Sequence, residues 1–260
     1  MSPSAEFAVI GGSGLYSLLD DAEDHTIDTP YGPTSDPITI AEIARRRVAF
    51  LPRHGRDHRY PPHRIPYRAN IWALRELGVT QILAPCAVGG LRPELGAGTF
   101  VVPDQLIDRT YGRAQTFYDD RAVHVSFADP YCPTGRATVL AAARSEGIQI
   151  TDGGTMVVIE GPRFSTRAES RWYAAAGGTL VNMTGHPEAV LARELSICYT
   201  AVALVTDLDA GVEGDHGVTQ EEVFRVFAEN TERMRALLLT ALAALPSERT
   251  CPCPAAVPAS

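Results

Sequence analysis

Residues 179–211 carry the residue types in this chain that are best suited to chemistry. Asp207 and Asp209 directly follow the apolar run 200–205. Open α/β sheets bind ligands at the carboxyl ends of their strands, which is where these carboxylates are predicted to lie. A carboxyl group kept protonated by burial or by a second carboxylate can donate a proton to a nitrogenous heterocycle. The alternative is that the pair only braces its loop.

Thr184 lies in the same segment, between an apolar run at 179–181 and a predicted helix at 188–198. Pro187 suits the first helical position, where its missing N–H is not needed, and Glu188 favours a helix N-terminus electrostatically. A hydroxyl beside a helix N-terminus suits an anion. Together with the carboxylates, this arrangement predicts a site that binds a phosphate and a nitrogenous base.

A second candidate anion site has the sequence RHGRDH, residues 53–58. Two arginines and two histidines follow the predicted strand 47–51, and guanidinium groups bind phosphate through paired hydrogen bonds. A solvated basic turn is the alternative. We predict that His54 binds phosphate and not a metal, because no third histidine or carboxylate stands at ligand spacing.

A third candidate is the turn Gly11-Gly12-Ser13-Gly14, which follows a short apolar strand at 7–10. Such a turn can arrange backbone N–H groups around phosphate, with the Ser13 hydroxyl as a further donor. The sequence has neither a G-x-G-x-x-G fingerprint nor a G-K-[ST] motif, so neither a dinucleotide site nor a P-loop is predicted. A tight turn without a ligand is the alternative.

Strands and helices alternate along the chain, which predicts a single α/β domain with a mixed sheet whose strand ends converge on one site. Helices are predicted at 64–77 and 136–146, and a final helix begins at Thr219. Further strands are predicted at 38–43, 81–88, 99–103, 105–107 and 155–159.

Residues 1–246 form the predicted domain. The proline-containing segment 247–260 is predicted to be a disordered tail.

Composition excludes several classes of protein. The chain has 260 residues, 45% of them hydrophobic, and a net charge of −8. The acidic balance argues against a nucleic-acid-binding surface. We expect no membrane association, because no run of 18 apolar residues is present. The N-terminus has no basic region followed by an apolar one, so we expect a cytoplasmic protein.

The five cysteines are too few and too scattered to predict a disulfide framework. Cys86, Cys132 and Cys198 stand in or beside apolar segments and are expected to be small core residues. Cys251 and Cys253 form a C-x-C in the tail. Because a metal there would need further histidine or cysteine partners, no metal site is predicted.

Several blocks of sequence resemble the trimeric purine nucleoside phosphorylase superfamily, and within it the 5'-methylthioadenosine phosphorylase branch. They are GGSG (11–14), RHGRDH (53–58), YRANIWAL (67–74), MVVIEGPRFSTRAES (156–170), NMTGHPEAVLARE (182–194) and TDLDAG (206–211). The resemblance runs from about residue 7 to residue 245. It implies one nucleoside phosphorylase-like domain with a mixed central β-sheet, partly barrel-like and flanked by helices. It also implies a homotrimer that needs no cofactor, with inorganic phosphate as co-substrate.

The resemblance also implies roles for individual residues. Those that bind phosphate would be Ser13, Arg53, His54, Cys86, Ala87 and Thr184. Those that bind the nucleoside would be Phe164, Ser165, Met183, Asp207, Asp209, Gln220, Val223, Phe224 and His58, with His124 reaching into an adjacent subunit. The chain departs from its relatives at Cys86, where they often carry threonine, and a thiol is a weaker donor to phosphate.

The implied reaction is phosphorolysis of 5'-methylthioadenosine to adenine and 5-methylthioribose 1-phosphate, with Asp207 as general acid at purine N7. A carboxyl group complements the 6-amino group and N7 of adenine, whereas relatives that take inosine-type substrates carry asparagine at this position. The apolar residues expected around the 5' carbon suit a methylthio group, and a halogen would fit as well. The alternatives are a methylthioinosine or general purine nucleoside phosphorylase, a 5'-deoxy-5'-haloadenosine phosphorylase, and a nucleoside-binding module without activity.

Overall fold

The computed structural model describes residues 3–12, 22–212 and 217–257. These residues contain one 11-stranded mixed sheet with α-helices packed against it. The strands are β1 Phe7–Gly11, β2 Glu23–His25, β3 Ile38–Ile43, β4 Arg46–Pro52, β5 Gln81–Gly90, β6 Phe100–Val102, β7 Gln105–Arg109, β8 Ile150–Asp152, β9 Thr155–Ile159, β10 Leu180–Asn182 and β11 Cys198–Leu208. The helices are α1 Tyr67–Glu76, α2 Pro133–Ser145, α3 Arg167–Ala175, α4 Gly185–Glu194, α5 Gln220–Glu229 and α6 Thr231–Ala244.

The long strand β5 is the centre of the sheet, and the sheet branches there. β5 pairs in parallel with β1 on one side and with β11 on the other. Its last two residues, Gly89 and Gly90, pair antiparallel with β10. One branch runs β2-β3-β4-β1-β5-β10-β9-β7, and the other continues from β5 through β11 and β6 to β8. The described strands therefore form an open sheet and not the partly closed barrel implied by the resemblance.

Both faces of the central sheet are covered, which explains why its strands are apolar without alternation. In β1, Ala8 and Ile10 belong to one buried cluster, whereas Phe7 and Val9 belong to a second cluster on the other face. All five residues of β1 are buried. The predicted single α/β domain with a mixed sheet flanked by helices is confirmed.

Several element boundaries differ by a few residues from the sequence prediction, and two of these differences have a clear cause. The helix expected to reach residue 198 ends at Glu194, because Ser196 adopts a positive φ of 57° and the Cys198 N–H already pairs with the Thr80 carbonyl. The final helix is interrupted at Asn230, whose side-chain amide donates to the Val226 carbonyl at 2.9 Å. Neither feature changes the apolar spacing from which the helices were predicted.

Residues 247–257 of the C-terminal segment are ordered, in contrast to the disorder expected from their composition. A short 3-10 helix spans Cys253–Ala255, and both Cys253 and Ala256 are buried. The Arg249 guanidinium donates to the Ser196 carbonyl at 2.6 Å, which ties the segment to the turn before β11. Within the described residues, no helix is both long enough and apolar enough to cross a membrane.

Candidate active site

A pocket of about 440 Å³ lies where the carboxyl ends of the strands converge, within the size range of small-molecule sites. β5 supplies its floor, β10 and β11 supply one wall, and α5 closes over it. The structure brings most of the predicted site residues to this pocket: Arg53, His54, His58, Cys86, Ala87, Phe164, Ser165, Met183, Thr184, Asp207, Asp209, Gln220, Val223 and Phe224. Two are not among them, since Ser13 lies outside the described residues and His124 is exposed away from the pocket.

Successive residues of strand β5 contact different functional groups of the pocket, and so fix the order of these groups along the strand. Its Pro85 carbonyl accepts a hydrogen bond from Arg53, and its Ala87 carbonyl accepts one from Asn182. A Cβ placed on Gly89 would lie 3.2 Å from Asp207 Oδ2. Successive residues of a strand advance by ~3.3 Å, so the guanidinium and the carboxyl group lie at opposite ends of a path of ~13 Å.

Asp207 is a buried acid at the end of β11. Burial raises its pKa to about 6, and the neighbouring Asp209 carboxylate adds to the rise, although a hydrogen bond from Thr206 opposes it. The Thr206 hydroxyl donates to Asp207 Oδ1 at 2.8 Å, while Oδ2 faces Gly89. Asp207 therefore meets the condition set from the sequence, a carboxyl group that can hold a proton close to neutral pH.

Asp209 is also buried but is held differently. Its Oδ2 accepts a hydrogen bond from the Ser170 hydroxyl at 2.7 Å. Ser170 lies on α3, whose N-terminus is closed by a capping box of Thr166 and Glu169. Asp209 also lines the pocket but is anchored to α3 through this hydrogen bond, whereas Asp207 Oδ2 has no such anchor among the described side chains.

Arg53 lies at the other end of the path and is almost fully buried. Its Nε and Nη2 atoms donate to the two oxygens of Glu188, each at 2.8 Å. Two further N–H groups donate to the Pro85 and Ile10 carbonyls. These contacts use four of the five N–H groups of the guanidinium, so one on Nη1 is left for a ligand.

Glu188 has a role that the sequence analysis missed. Its side chain is only 1% exposed and also accepts a hydrogen bond from the Tyr199 hydroxyl at 2.7 Å. Burial of Arg53 alone would lower its pKa, but the Glu188 carboxylate raises it above its ordinary value. Glu188 is therefore the counter-ion of Arg53, in addition to standing at the start of α4. No local pattern pairs two residues that are 135 positions apart.

His54 is neutral in this environment. Burial lowers its pKa to about 4, and the nearby Arg53 charge lowers it further, while a hydrogen bond to the Tyr60 carbonyl acts in the other direction. Its Nδ1 lies 2.8 Å from that carbonyl oxygen and must donate to it, because a carbonyl only accepts. Nε2 is then an acceptor, suited to a protonated phosphate oxygen or a sugar hydroxyl.

Thr184 stands at the start of α4, as predicted, and a neighbouring amide holds it there. Asn182 Oδ1 accepts from the backbone N–H groups of Thr184 and Gly185, at 2.8 and 2.7 Å. The Asn182 amide nitrogen donates to the Ala87 carbonyl at 3.2 Å. Asn182 therefore fixes Thr184 relative to β5, and its place two residues before the threonine was the only sequence signal for this role.

Cys86 remains a thiol. Burial raises its pKa to about 12, against the opposing effect of Arg53. It can therefore offer only a weak S–H donor to an anion. The backbone of Ala87, the next residue of β5, lies beside the Cys86 thiol.

The residues expected to contact the nucleoside line the remaining walls. The Ser165 hydroxyl is buried and has no hydrogen-bond partner in the described part of the chain, which points to a ligand as its partner. Met183 packs so closely on Gly161 that a Cβ there would lie 2.6 Å from its sulfur. Phe164 also lines the pocket.

An aromatic group closes the mouth of the pocket. The His58 ring stacks on His54 with centroids 4.4 Å apart and meets the Phe224 ring edge-on at 5.7 Å. Phe224 belongs to α5 and is 48% exposed, although it lines the pocket together with Val223. An exposed aromatic side chain at a pocket mouth suits an apolar substituent of the ligand.

Arg113 is a second residue that the sequence analysis missed. Its guanidinium donates to Glu160 Oε2 at 3.0 Å, to the Met183 carbonyl at 3.0 Å and to the His186 carbonyl at 2.6 Å. It thereby joins the loop after β9 to the residues at the start of α4. The inward direction of Arg113 was not predictable, because its partners lie 47 to 73 residues away in the sequence.

The geometry combines donors for an anion, a buried acid and an apolar mouth in one pocket, and the chain is similar to known proteins over most of its length. The profile of a family described as the phosphorylase superfamily matches residues 6–243. A purine nucleoside phosphorylase of Streptomyces coelicolor is 61% identical over 97% of this chain and 94% of its own length. An S-methyl-5'-thioadenosine phosphorylase of Mycolicibacterium smegmatis is 60% identical over 94% of this chain and 92% of its own. A crystal structure of a methylthioadenosine phosphorylase from an antarctic soil metagenomic library superposes with a TM-score of 0.93 at 41% identity, covering 98% of this chain and 92% of that one.

Proposed function

The chain belongs to the phosphorylase superfamily, and from that membership we propose that it catalyses the phosphorolysis of 5'-methylthioadenosine. The products are adenine and 5-methylthioribose 1-phosphate, so the enzyme is a pentosyltransferase. The observation that carries the proposal is the order of groups along β5, with anion donors at one end and the acid Asp207 at the other. That order matches a reaction in which an anion attacks a sugar while a base leaves.

In the reaction, a phosphate oxygen forms a bond to C1' as the bond from C1' to purine N9 breaks. The electron pair of the broken bond moves into the purine ring, and Asp207 donates a proton to N7. Burial keeps this acid protonated to higher pH than an ordinary aspartate, so it can stabilise the negative charge that develops on the base. The phosphate dianion stabilises the positive charge that develops on the sugar.

The phosphate end is built from donors held in fixed positions. The remaining N–H of Arg53 and the hydroxyl of Thr184 would donate to phosphate oxygens, and His54 Nε2 would accept from a protonated one. Cys86 and Ala87 would complete this end through the β5 backbone, together with Ser13 of the glycine-rich turn. Since Glu188 already neutralises Arg53, the site would select phosphate by directed hydrogen bonds more than by net charge.

At the nucleoside end, Ser165 would bond a polar atom of the base, and Phe164 would contact its ring. Met183 would pack under the ribose. Val223 and Phe224 would surround the 5' carbon, with His58 and Gln220 nearby. A methylthio group gains from burial against these side chains by about 1–3 kcal/mol relative to a free hydroxyl.

We further propose a homotrimer in which His124 completes the pocket of a neighbouring subunit. His124 is exposed and far enough from its own pocket to be absent from the lining. Three large aromatic side chains are exposed in the described structure: besides Phe224 at the pocket mouth, they are Tyr111 at 73% and Trp172 at 53%. Arg109, at the end of the edge strand β7, stacks over Trp172 at 4.7 Å, so both aromatics border one edge of the sheet and offer a surface for a second copy.

A panel of nucleosides tests the proposed substrate. Purine release would be measured for methylthioadenosine, methylthioinosine, adenosine and inosine at saturating phosphate. The proposal predicts the highest kcat/KM for methylthioadenosine. A preference for methylthioinosine or inosine would instead place the chain with 6-oxopurine enzymes, and binding of all four nucleosides without turnover would indicate a module without activity. A 5'-chloro-5'-deoxyadenosine sample in the same panel tests the halogen alternative.

A further inference from the structure

Four of the five cysteines meet outside the substrate pocket. Cys132 precedes α2, Cys198 is the first residue of β11, and Cys251 and Cys253 belong to the C-terminal segment. Their four Sγ atoms all lie within 4.8 Å of one another. Cys132, Cys198 and Cys253 are buried, and Cys251 is half-buried. None of the four lines the pocket.

The distances between the sulfur atoms suit a tetrahedral metal site. Zinc binds thiolate sulfur at about 2.3 Å, which places the four sulfurs of a tetrahedron about 3.8 Å apart. The separation between Cys198 Sγ and Cys251 Sγ is 3.3 Å, well beyond the length of about 2.05 Å of a disulfide bond. Four sulfurs in mutual contact can bind one ion together, whereas a single disulfide would bring together only two of them.

The surroundings of the sulfurs do not indicate ordinary core packing. The buried cluster formed by Cys132, Cys198 and Cys253, with Cys251 packed against it, consists of cysteine side chains alone in the described part of the chain. Cysteines that serve only as small core residues contact aliphatic neighbours, because dispersion and burial are what they contribute. A cluster of thiols that contact one another gains little from packing and much from a shared ion.

Local backbone groups favour the thiolate form at one of the four positions. Cys132 is the N-cap of α2, and its sulfur accepts a hydrogen bond from the Gly135 N–H at 3.5 Å. The positive end of the helix dipole therefore faces this sulfur. Amide donors to ligating sulfur are the outer contacts that orient and stabilise a metal ligand.

The C-terminal segment is positioned to deliver its two ligands. The Arg249 guanidinium donates to the Ser196 carbonyl, and the Ser196 hydroxyl donates to the Pro254 carbonyl at 3.3 Å. The Ser126 N–H donates to the Ala256 carbonyl at 3.1 Å. These bonds hold Cys251 and Cys253 against the start of β11 without any contribution from the sulfurs.

We propose that Cys132, Cys198, Cys251 and Cys253 bind one zinc ion in a closed tetrahedral site. Binding converts four thiols and Zn²⁺ into a zinc tetrathiolate and releases four protons. With all four positions taken by protein sulfur, the ion has no open position for substrate and is structural. It fastens the C-terminal segment to α2 and β11, and so stabilises the domain by closing long loops.

The experiment measures metal content and thiol state of the full-length chain, purified with a reductant and without a chelator. We expect about one zinc per chain by plasma mass spectrometry, and zinc at background in the Cys251→Ser/Cys253→Ser double variant. The matched control is Cys86→Ser, which removes the one cysteine outside the cluster and should retain zinc. Added EDTA should lower the melting temperature of the wild type but leave that of the double variant unchanged.

Two results would overturn the proposal. One is a wild-type chain without zinc whose intact mass is four hydrogens lower than that of the reduced chain, since the cluster would then hold two disulfides. The other is equal zinc content in the wild type and the double variant. A second probe is Co²⁺ added to the apoprotein: four sulfurs on one ion give intense tetrahedral d–d bands together with charge-transfer bands of the strength of four thiolates, and the absence of such bands would also contradict the proposal.

Discussion

The Glu188 carboxylate accepts two hydrogen bonds of 2.8 Å from the Arg53 guanidinium, although 135 residues separate them. The side chains are only 3% and 1% exposed, so the pair stands in a medium of low dielectric. The bidentate geometry fixes the plane of the guanidinium and directs its remaining N–H. The orientation of the proposed phosphate donor therefore depends on a residue that itself need not touch phosphate.

Removing Glu188 should destabilise the protein more than removing a surface carboxylate. Glu188→Ala leaves the Arg53 charge buried without its counter-ion, which costs about 3–5 kcal/mol in the free energy of unfolding. The matched control is Glu229→Ala, since Glu229 pairs with Arg225 on the exposed face of α5. Such a pair contributes under about 1 kcal/mol. Urea unfolding of both variants measures the difference, and equal losses would contradict the assigned role.

Gly89 is predicted to be intolerant of a side chain because two carboxyl groups face it. A methyl group there would lie 3.2 Å from Asp207 Oδ2 and 3.3 Å from Asp209 Cβ. Gly89→Ala should therefore displace Asp207 and lower kcat/KM by about tenfold or more, since misplacing a catalytic group is costly. Gly96→Ala is the control, because nothing lies within 4 Å of the added methyl group. Steady-state kinetics that place both variants near the wild type would argue against a precise position for Asp207.

The pH dependence of activity should report the protonation of Asp207. Its pKa of about 6 means that the acid form declines as pH rises above that value. The ratio of kcat/KM for the wild type to that of Asp207→Asn cancels the titration of phosphate itself. We expect this ratio to fall by up to about tenfold for each pH unit above 6, because activity of the wild type requires the one proton that Asp207 loses in this range. A ratio that stays constant between pH 5 and pH 8 would exclude a protonated Asp207 in the free enzyme.

Asp207→Asn should also move base choice toward 6-oxopurines. The asparagine amide can donate to O6, which the carboxylate cannot do, and a hydrogen bond of this kind is worth about 1–3 kcal/mol. The ratio of kcat/KM for methylthioinosine to that for methylthioadenosine should rise by about tenfold or more. Asp209→Asn serves as the control, because Asp209 is held by Ser170 and should not set base preference. An unchanged ratio in Asp207→Asn would assign base choice to another residue.

The positions of most strands along the sequence and the location of the pocket at their carboxyl ends were predictable because they depend on local patterns. Apolar runs such as β9, Thr155–Ile159, are continuous because the sheet is covered on both faces. Asp207 and Thr184 follow such runs directly, so the sequence alone placed them at the strand ends. The capping box at Thr166 is likewise local, since its two partners are three residues apart.

The parts that were not predictable depend on contacts between distant segments. Glu188 was assigned a role at a helix terminus because Arg53 is far away in the sequence. The end of α4 was extended too far, since the apolar spacing continues beyond Glu194 while the backbone turns at Ser196. The C-terminal segment was predicted to be disordered because Cys132 and Cys198, which meet its C-x-C motif, carry no signature of their own.

The most direct test of the central claim is a mass balance on methylthioadenosine with and without inorganic phosphate. Released adenine, consumed phosphate and the sugar product would be quantified in the same sample. Our account predicts that adenine appears only when phosphate is present, in equal amount to the phosphate consumed and to 5-methylthioribose 1-phosphate formed. Adenine release without phosphate, with free methylthioribose as the product, would contradict it, because water would then be the nucleophile and the anion site along β5 would have no role in the reaction.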